Sequence, residues 1–129
     1  MKFLFESEDC IVGIIVGLVM VGLSGRYFQL PNIPLLWGLV FTISLAFTIF
    51  DVLHTFSDLG GHPLLIALLL INNAIDFILE AALAAMYFGM TLPFFSLLNP
   101  YLSNPAVLYA AGIFFIISSV FWIIVFPFI

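Results

Sequence analysis

Four long apolar stretches with short breaks between them limit what this chain can fold into. They cover residues 10–28, 34–56, 63–92 and 106–126. Each is close to or beyond the ~20 residues a helix needs to cross the hydrocarbon core of a bilayer. The breaks carry the right punctuation. Arg26 and Tyr27 close the first stretch, and both suit the headgroup level. Pro31 and Pro34 interrupt the chain before the second. Gly60 and Gly61 allow a tight turn, after which Pro63 can open a helix. Pro93 stops the third stretch. Its length, at ~1.5 Å per residue roughly 45 Å, predicts a helix that tilts, kinks or protrudes.

The expected fold is an all-α membrane protein, four transmembrane helices in a small bundle with a tight hairpin between helices two and three. The chain, 1–129, reads as a single transmembrane domain with a short acidic tail over residues 1–9. That tail holds Lys2, Glu6, Glu8 and Asp9, is net acidic where a secretory signal starts basic, and shows no small-residue cleavage site before the later spans, so it is expected to be a short retained tail. The loop between Pro93 and Pro105, rich in aromatic residues, is expected at the membrane interface.

Composition narrows the function. Hydrophobic residues make up 65% and charged residues 7%, against about 25% charged in soluble domains. Such a chain cannot cover itself with polar surface, whereas a lipid-facing exterior needs none. Two Lys and Arg residues in all provide no basic surface, so no nucleic-acid partner is expected. A lone cysteine, Cys10, rules out an internal disulfide, a Cys-rich zinc site and a CxxC redox centre. There is no phosphate loop, nucleophile elbow or HExxH, so the chain is not expected to be catalytic by itself. Lys2 and Arg26 fall on opposite sides of a four-span topology, so the positive-inside rule is tied.

The informative residues are polar ones inside spans two and three. Span two carries Asp51 and His54, with Asp58 and His62 just beyond; span three carries Asn72, Asn73, Asp76 and Glu80. Ionisable residues inside a membrane are expensive and are functional candidates by default. Asp51, His54 and Asp58 stand at i, i+3 and i+7, and Asn72, Asp76 and Glu80 at i, i+4 and i+8, so each set shares a helical face. The tight turn lets the two faces look at one another. From that turn the rise per residue puts Asp51 about 9 Å deep, Asn72 about 14 Å, Asp76 near ~20 Å and Glu80 near ~26 Å.

This ladder admits two roles: a path for protons or cations, or hydrogen bonds that brace the helices. No Lys or Arg lies within it. Asp76 and Glu80 must therefore be protonated, paired with a basic residue or metal from elsewhere, or wetted by a cavity that partner helices would shelter. Asp51 and His54, as D-x-x-H, are weak metal candidates, resembling the Glu-x-x-His spacing of di-iron bundles without its second copy. His54 is the single span histidine a haem could use. No cofactor is expected within this chain, while a metal or haem shared with another subunit stays compatible. Gly13 and Gly17 form a GxxxG suited to close helix packing.

Gly22, Gly25, Arg26 and Tyr27 at the end of the first span, with the length, four spans and tied topology, resemble the small dual-topology fluoride channels. The Thr-Thr-Phe-Ser break in that family's third helix is missing here, and Asp76 and Glu80 oppose an anion path. No site is carried over.

Taken together, these features make the expected protein an integral-membrane, multi-pass accessory or structural subunit of a larger membrane complex, energy-transducing or redox, with the bilayer and other integral-membrane subunits as partners. The alternative is a homo-oligomeric proton- or cation-coupled channel or transporter that uses the Asp/Glu/His ladder.

Overall fold

The computed structural model describes the backbone of residues 2–58, 60–91 and 93–125, and the side chains of residues 9–55, 60–91, 93–95 and 97–125. It is helical throughout, with no strand among the described residues: α1 (Lys2–Ser24), α2 (Pro34–Asp58), α3 (Pro63–Tyr87), two single turns α4 (Pro93–Ser96) and α5 (Asn99–Leu102), and α6 (Pro105–Val125). The helices α2, α3 and α6 are long and apolar enough to cross a membrane; the apolar part of α1, Asp9–Ser24, is shorter.

Helix ends follow from local chemistry. Pro34, Pro63 and Pro105 each occupy the first helical position, where a missing N–H costs nothing. Asn104 caps α6 by accepting the Ala106 N–H at 2.9 Å. At the other end of α3, Gly89 adopts φ +71°. Met90 N–H then reaches Ala85 O at 2.8 Å and Gly89 N–H reaches Met86 O at 3.2 Å. This paired closure satisfies the last carbonyls and ends the helix.

The third helix therefore stops at Tyr87, not at residue 92. Its length falls to about 37 Å at ~1.5 Å per residue, still beyond the ~30 Å hydrocarbon core. A second boundary also moves. Residues 2–9, expected as a tail, continue α1 in helical form, and the helix ends at Ser24, not at residue 28.

Packing divides the helices into two antiparallel pairs, α1 with α6 and α2 with α3, joined mainly where α1 meets α2. In the first pair the backbones nearly touch: a Cβ on Gly17 would lie 2.6 Å from Gly112 O, and one on Gly112 would lie 2.7 Å from Gly17 O. Gly13 likewise faces Ser119 across the same interface. Gly13 and Gly17 thus serve packing within the chain.

Two apolar clusters fill the interior. The larger joins Val16, Met20, Phe41, Leu83, Leu108 and Phe115 with their neighbours, and Leu102 of α5 seals its end. The smaller, near the α2–α3 turn, consists of Cys10, Leu69 and Trp122 with partly buried side chains around it. The outer surface is apolar as well: Ile43, Leu53, Ile71 and Ile117 are all more than half exposed. Meanwhile Ser44, Thr48, Asp51, Thr55, Asn73 and Glu80 are buried. Polar groups inside and large aliphatic groups outside suit a lipid solvent.

Candidate functional site

The buried polar residues of α2 form a stripe: Ser44, Thr48, Asp51 and Thr55, spaced by four, three and four residues. That spacing keeps side chains on one helical face. Leu69, Asn73, Asp76 and Glu80 repeat the same spacing on α3. Because the pair is antiparallel, the two stripes meet in register. Ser44 pairs with Glu80 and Asp51 with Asn73, so the seven residues from 44 to 51 match the seven from 80 back to 73.

The hydrogen bonds follow this register. Glu80 accepts from Ser44 Oγ at Oε2 and from Thr48 Oγ1 at Oε1, the latter at 2.6 Å. Asp51 Oδ2 accepts from Asn73 Nδ2 at 2.7 Å. Asp76 Oδ2 accepts from Asn72 Nδ2 at 3.1 Å. Thr55 Oγ1 donates to the Asp51 backbone carbonyl at 2.7 Å. Two buried carboxylate oxygens, Asp51 Oδ1 and Asp76 Oδ1, have no hydrogen-bond partner among the described residues.

Both acids line one small cavity of about 20 Å³, together with Glu80 and with Asp9 of α1. A space of this size holds about one water, since ~10–15 Å³ is needed for a single molecule. Asp76 and Ser44 lie near the middle of their helices, while Asp9, Asp51 and Trp122 lie toward the turn-side ends of theirs, so the cavity runs from mid-helix toward the α2–α3 turn, between the two apolar clusters. Cys10, Leu69 and Trp122 close it on the side of the turn.

No cation offsets these acids among the described side chains. Arg26 stands just beyond the far end of α1, its guanidinium 4.7 Å from the Tyr109 ring centre. The Lys2 side chain lies outside the described residues. Four acids around one water-sized space repel one another in a poorly screening interior. Their charge has to be balanced by protons or by a cation.

The ladder read from the sequence is brought together in part. Asp51, Asn73 and Glu80 are buried in the cavity wall, with Asn72 and Asp76 half-buried at its edge. His54 is not in it: the residue is exposed, and its Nδ1 lies 2.7 Å from Phe50 O. Three residues beyond Asp51, the weak metal candidate His54 stands on the exposed face of the helix. Asp58 ends α2, and its side chain lies outside the described residues. Among those residues no three His, Cys, Asp or Glu side chains converge tightly enough to hold a metal.

All four long helices of this chain contribute side chains to the cavity wall. Asp9 was misplaced in the tail reading. Ser44, Thr48 and Thr55 were overlooked because hydroxyl residues are common in apolar helices. The signal that finds them is their phase with Asp51.

Comparison with protein families, with curated proteins and with solved structures returns no match to the chain. The functional reading therefore stands on the geometry of this cavity.

Proposed function

We propose that this chain is a multi-pass integral membrane protein with four transmembrane helices, acting as a proton- or cation-coupled channel or transporter, as a homo-oligomer. One observation carries the reading: Asp51 Oδ1 and Asp76 Oδ1, both buried and without a partner among the described residues, line a cavity with two further acids. Both oxygens line a space with room for about one water, which can carry a proton to or from a carboxyl group. Oxygens left open at a carboxylate cluster suit groups that gain and lose a proton or a cation. Ser44, Thr48 and Asn73 hold Glu80 and Asp51 in place, so binding and positioning fall to different residues.

A second reading is an accessory or structural subunit of a larger membrane complex, energy-transducing or redox. It is favoured by the tied basic charges, Lys2 against Arg26, which leave orientation to be imposed by neighbours. The intrachain shelter of the acids weighs against it.

The test is proton flux in liposomes containing the purified chain, driven by a potassium-diffusion potential and read with an internal pH dye. Flux is expected from the unmodified protein and is expected to be lost in Asp51→Asn and Asp76→Asn, with the folded fraction checked by gel filtration. An inert unmodified protein, or full flux in Asp76→Asn, overturns the proposal.

A further inference from the structure

The cavity acids differ in what their oxygens already do. Of the six carboxylate oxygens of Asp51, Asp76 and Glu80, four accept a hydrogen bond: both of Glu80 and Oδ2 of each aspartate. Asp51 Oδ1 and Asp76 Oδ1 remain open, on the wall of a space with room for about one water. Asp51 is 1% exposed, so its open oxygen has no bulk water to turn to. Asp9 of α1 lines the same space and is half-buried.

We infer that the ion exchanged here is the proton and not a metal ion, and that Asp9 passes it between the turn-side membrane surface and Asp51 and Asp76. The inference rests on the reading of the acids as a proton- or cation-exchanging site, and it names the ion and its point of entry.

The size of the space argues for the proton. A hydrated metal ion is larger than one water and does not fit. A bare one must take its ligands from the wall, and hard divalent cations take about six or more oxygens. Two carboxylate oxygens are open here, and among the described residues no three His, Cys, Asp or Glu side chains are grouped to hold a metal. A proton asks for less: one lone pair to leave, one to reach, and a water between them.

The placement of Asp9 argues for the entry. Asp9 begins the apolar part of α1, Asp9–Ser24, and Glu6 and Glu8 precede it in the sequence. That part spans about 24 Å at ~1.5 Å per residue, short of the ~30 Å hydrocarbon core. The mismatch holds this run of acids near the headgroups at the turn-side end. Asp76, also half-buried, lies at mid-helix, at the level of the lipid tails. Toward the far surface stands the larger apolar cluster, with Met20, Phe41 and Leu83 fully buried.

A proton from turn-side water forms an O–H bond on Asp9. That bond breaks as the proton passes to the cavity water, which hands one on to Asp51 Oδ1 or Asp76 Oδ1, and Asp9 returns to a carboxylate. Facing Asp9 across the cavity are Asp51 from α2 and Asp76 and Glu80 from α3. From α6 come Phe115, Ser119 and Trp122, none of which titrates, and the Cys10 thiol adjoins Asp9 on α1.

The test uses the purified full-length chain in liposomes. Metal passage is read by counterflow: vesicles loaded with sodium or potassium chloride are diluted into radiolabelled sodium or rubidium, with no ionophore. No concentrative uptake is expected, while the internal pH dye reports proton flux under a potassium-diffusion potential. Asp9→Asn is expected to lose that flux and Asp9→Glu to keep it, since Glu restores a group that titrates and Asn only its shape.

Sodium or rubidium uptake overturns the proton; if that uptake disappears in Asp76→Asn, the exchanging site itself stands. Proton flux that persists in Asp9→Asn, or is lost equally in Asp9→Glu, overturns the entry role. Should Asp9→Asn fail to fold, Asp9→Ser takes its place with the same expectation. Absence of both fluxes from the unmodified protein removes the inference together with the reading beneath it.

Discussion

The two helix pairs solve the same problem by different means. In α1 and α6, glycines bring the backbones together, and Gly17 and Gly112 leave no room between them for even a Cβ. In α2 and α3, side chains reach across: Ser44 and Thr48 to Glu80, Asn73 to Asp51. Between helices in lipid the hydrophobic effect offers little, because the tails are as apolar as leucine; close packing and hydrogen bonds remain. One pair uses the first and the other the second. The polar pair can hold acids because its hydroxyls and amides are already aimed inward. The glycine pair brings Asp9 and Cys10 up to the same cavity by packing closely.

The largest effect expected from breaking this division is at the glycine interface. Gly17→Val places a Cβ against the Gly112 carbonyl, a backbone atom that cannot rotate away. Overpacking typically costs about 1–3 kcal/mol, and this site belongs at the upper end. Reversible unfolding in mixed micelles, followed by helical circular dichroism, should show a loss of about 3 kcal/mol. A change indistinguishable from zero would mean that α1 and α6 are not packed through this face.

The polar pair should respond more mildly and more selectively. Glu80→Gln keeps an acceptor for Ser44 or Thr48 and is expected to change stability by less than about 1 kcal/mol. Glu80→Leu removes both acceptors; the hydroxyls can turn back to their own helix carbonyls, which limits the loss to about 1–2 kcal/mol. The same unfolding measurement separates the two variants. Equal effects would mean that Glu80 is held by shape and not by its hydrogen bonds.

How much of this was legible in the sequence depends on the kind of signal. The four apolar helices were plain, because apolar length is a strong pattern, though only α2, α3 and α6 are long enough to cross a membrane; the α2–α3 turn was marked by Gly60, Gly61 and Pro63. The end of α3 was not. Apolar residues continue past Tyr87, and a glycine that closes a helix looks the same in sequence as one that continues it; only Gly89's φ of +71° distinguishes them. The acids were legible as candidates, but their grouping was not. Asp9 read as a tail residue because it follows Glu6 and Glu8, whereas the fold carries α1 through that segment. The hydroxyls of α2 were hidden by their ordinary frequency in apolar helices. Phase relative to Asp51 selects Ser44, Thr48 and Thr55, and the same test, applied strictly, turns His54 away.

That last point yields the smallest expected effect, and it is the sharpest check on the shared face. Asp51 and His54 are three residues apart, close enough to pass as neighbours on a helix. Yet Asp51 is buried against Asn73, while His54 is exposed beside the Phe50 carbonyl. If the cavity is the working part, His54→Leu should leave proton flux in liposomes unchanged, and should move stability by no more than about 0.5 kcal/mol, as for other surface changes. Asp51→Asn, one turn away, should remove the flux. A His54→Leu protein that folds normally but no longer conducts would place the proton path along the outer face of α2. It would return His54 to the ladder and divide the working site between the cavity and the lipid-facing surface.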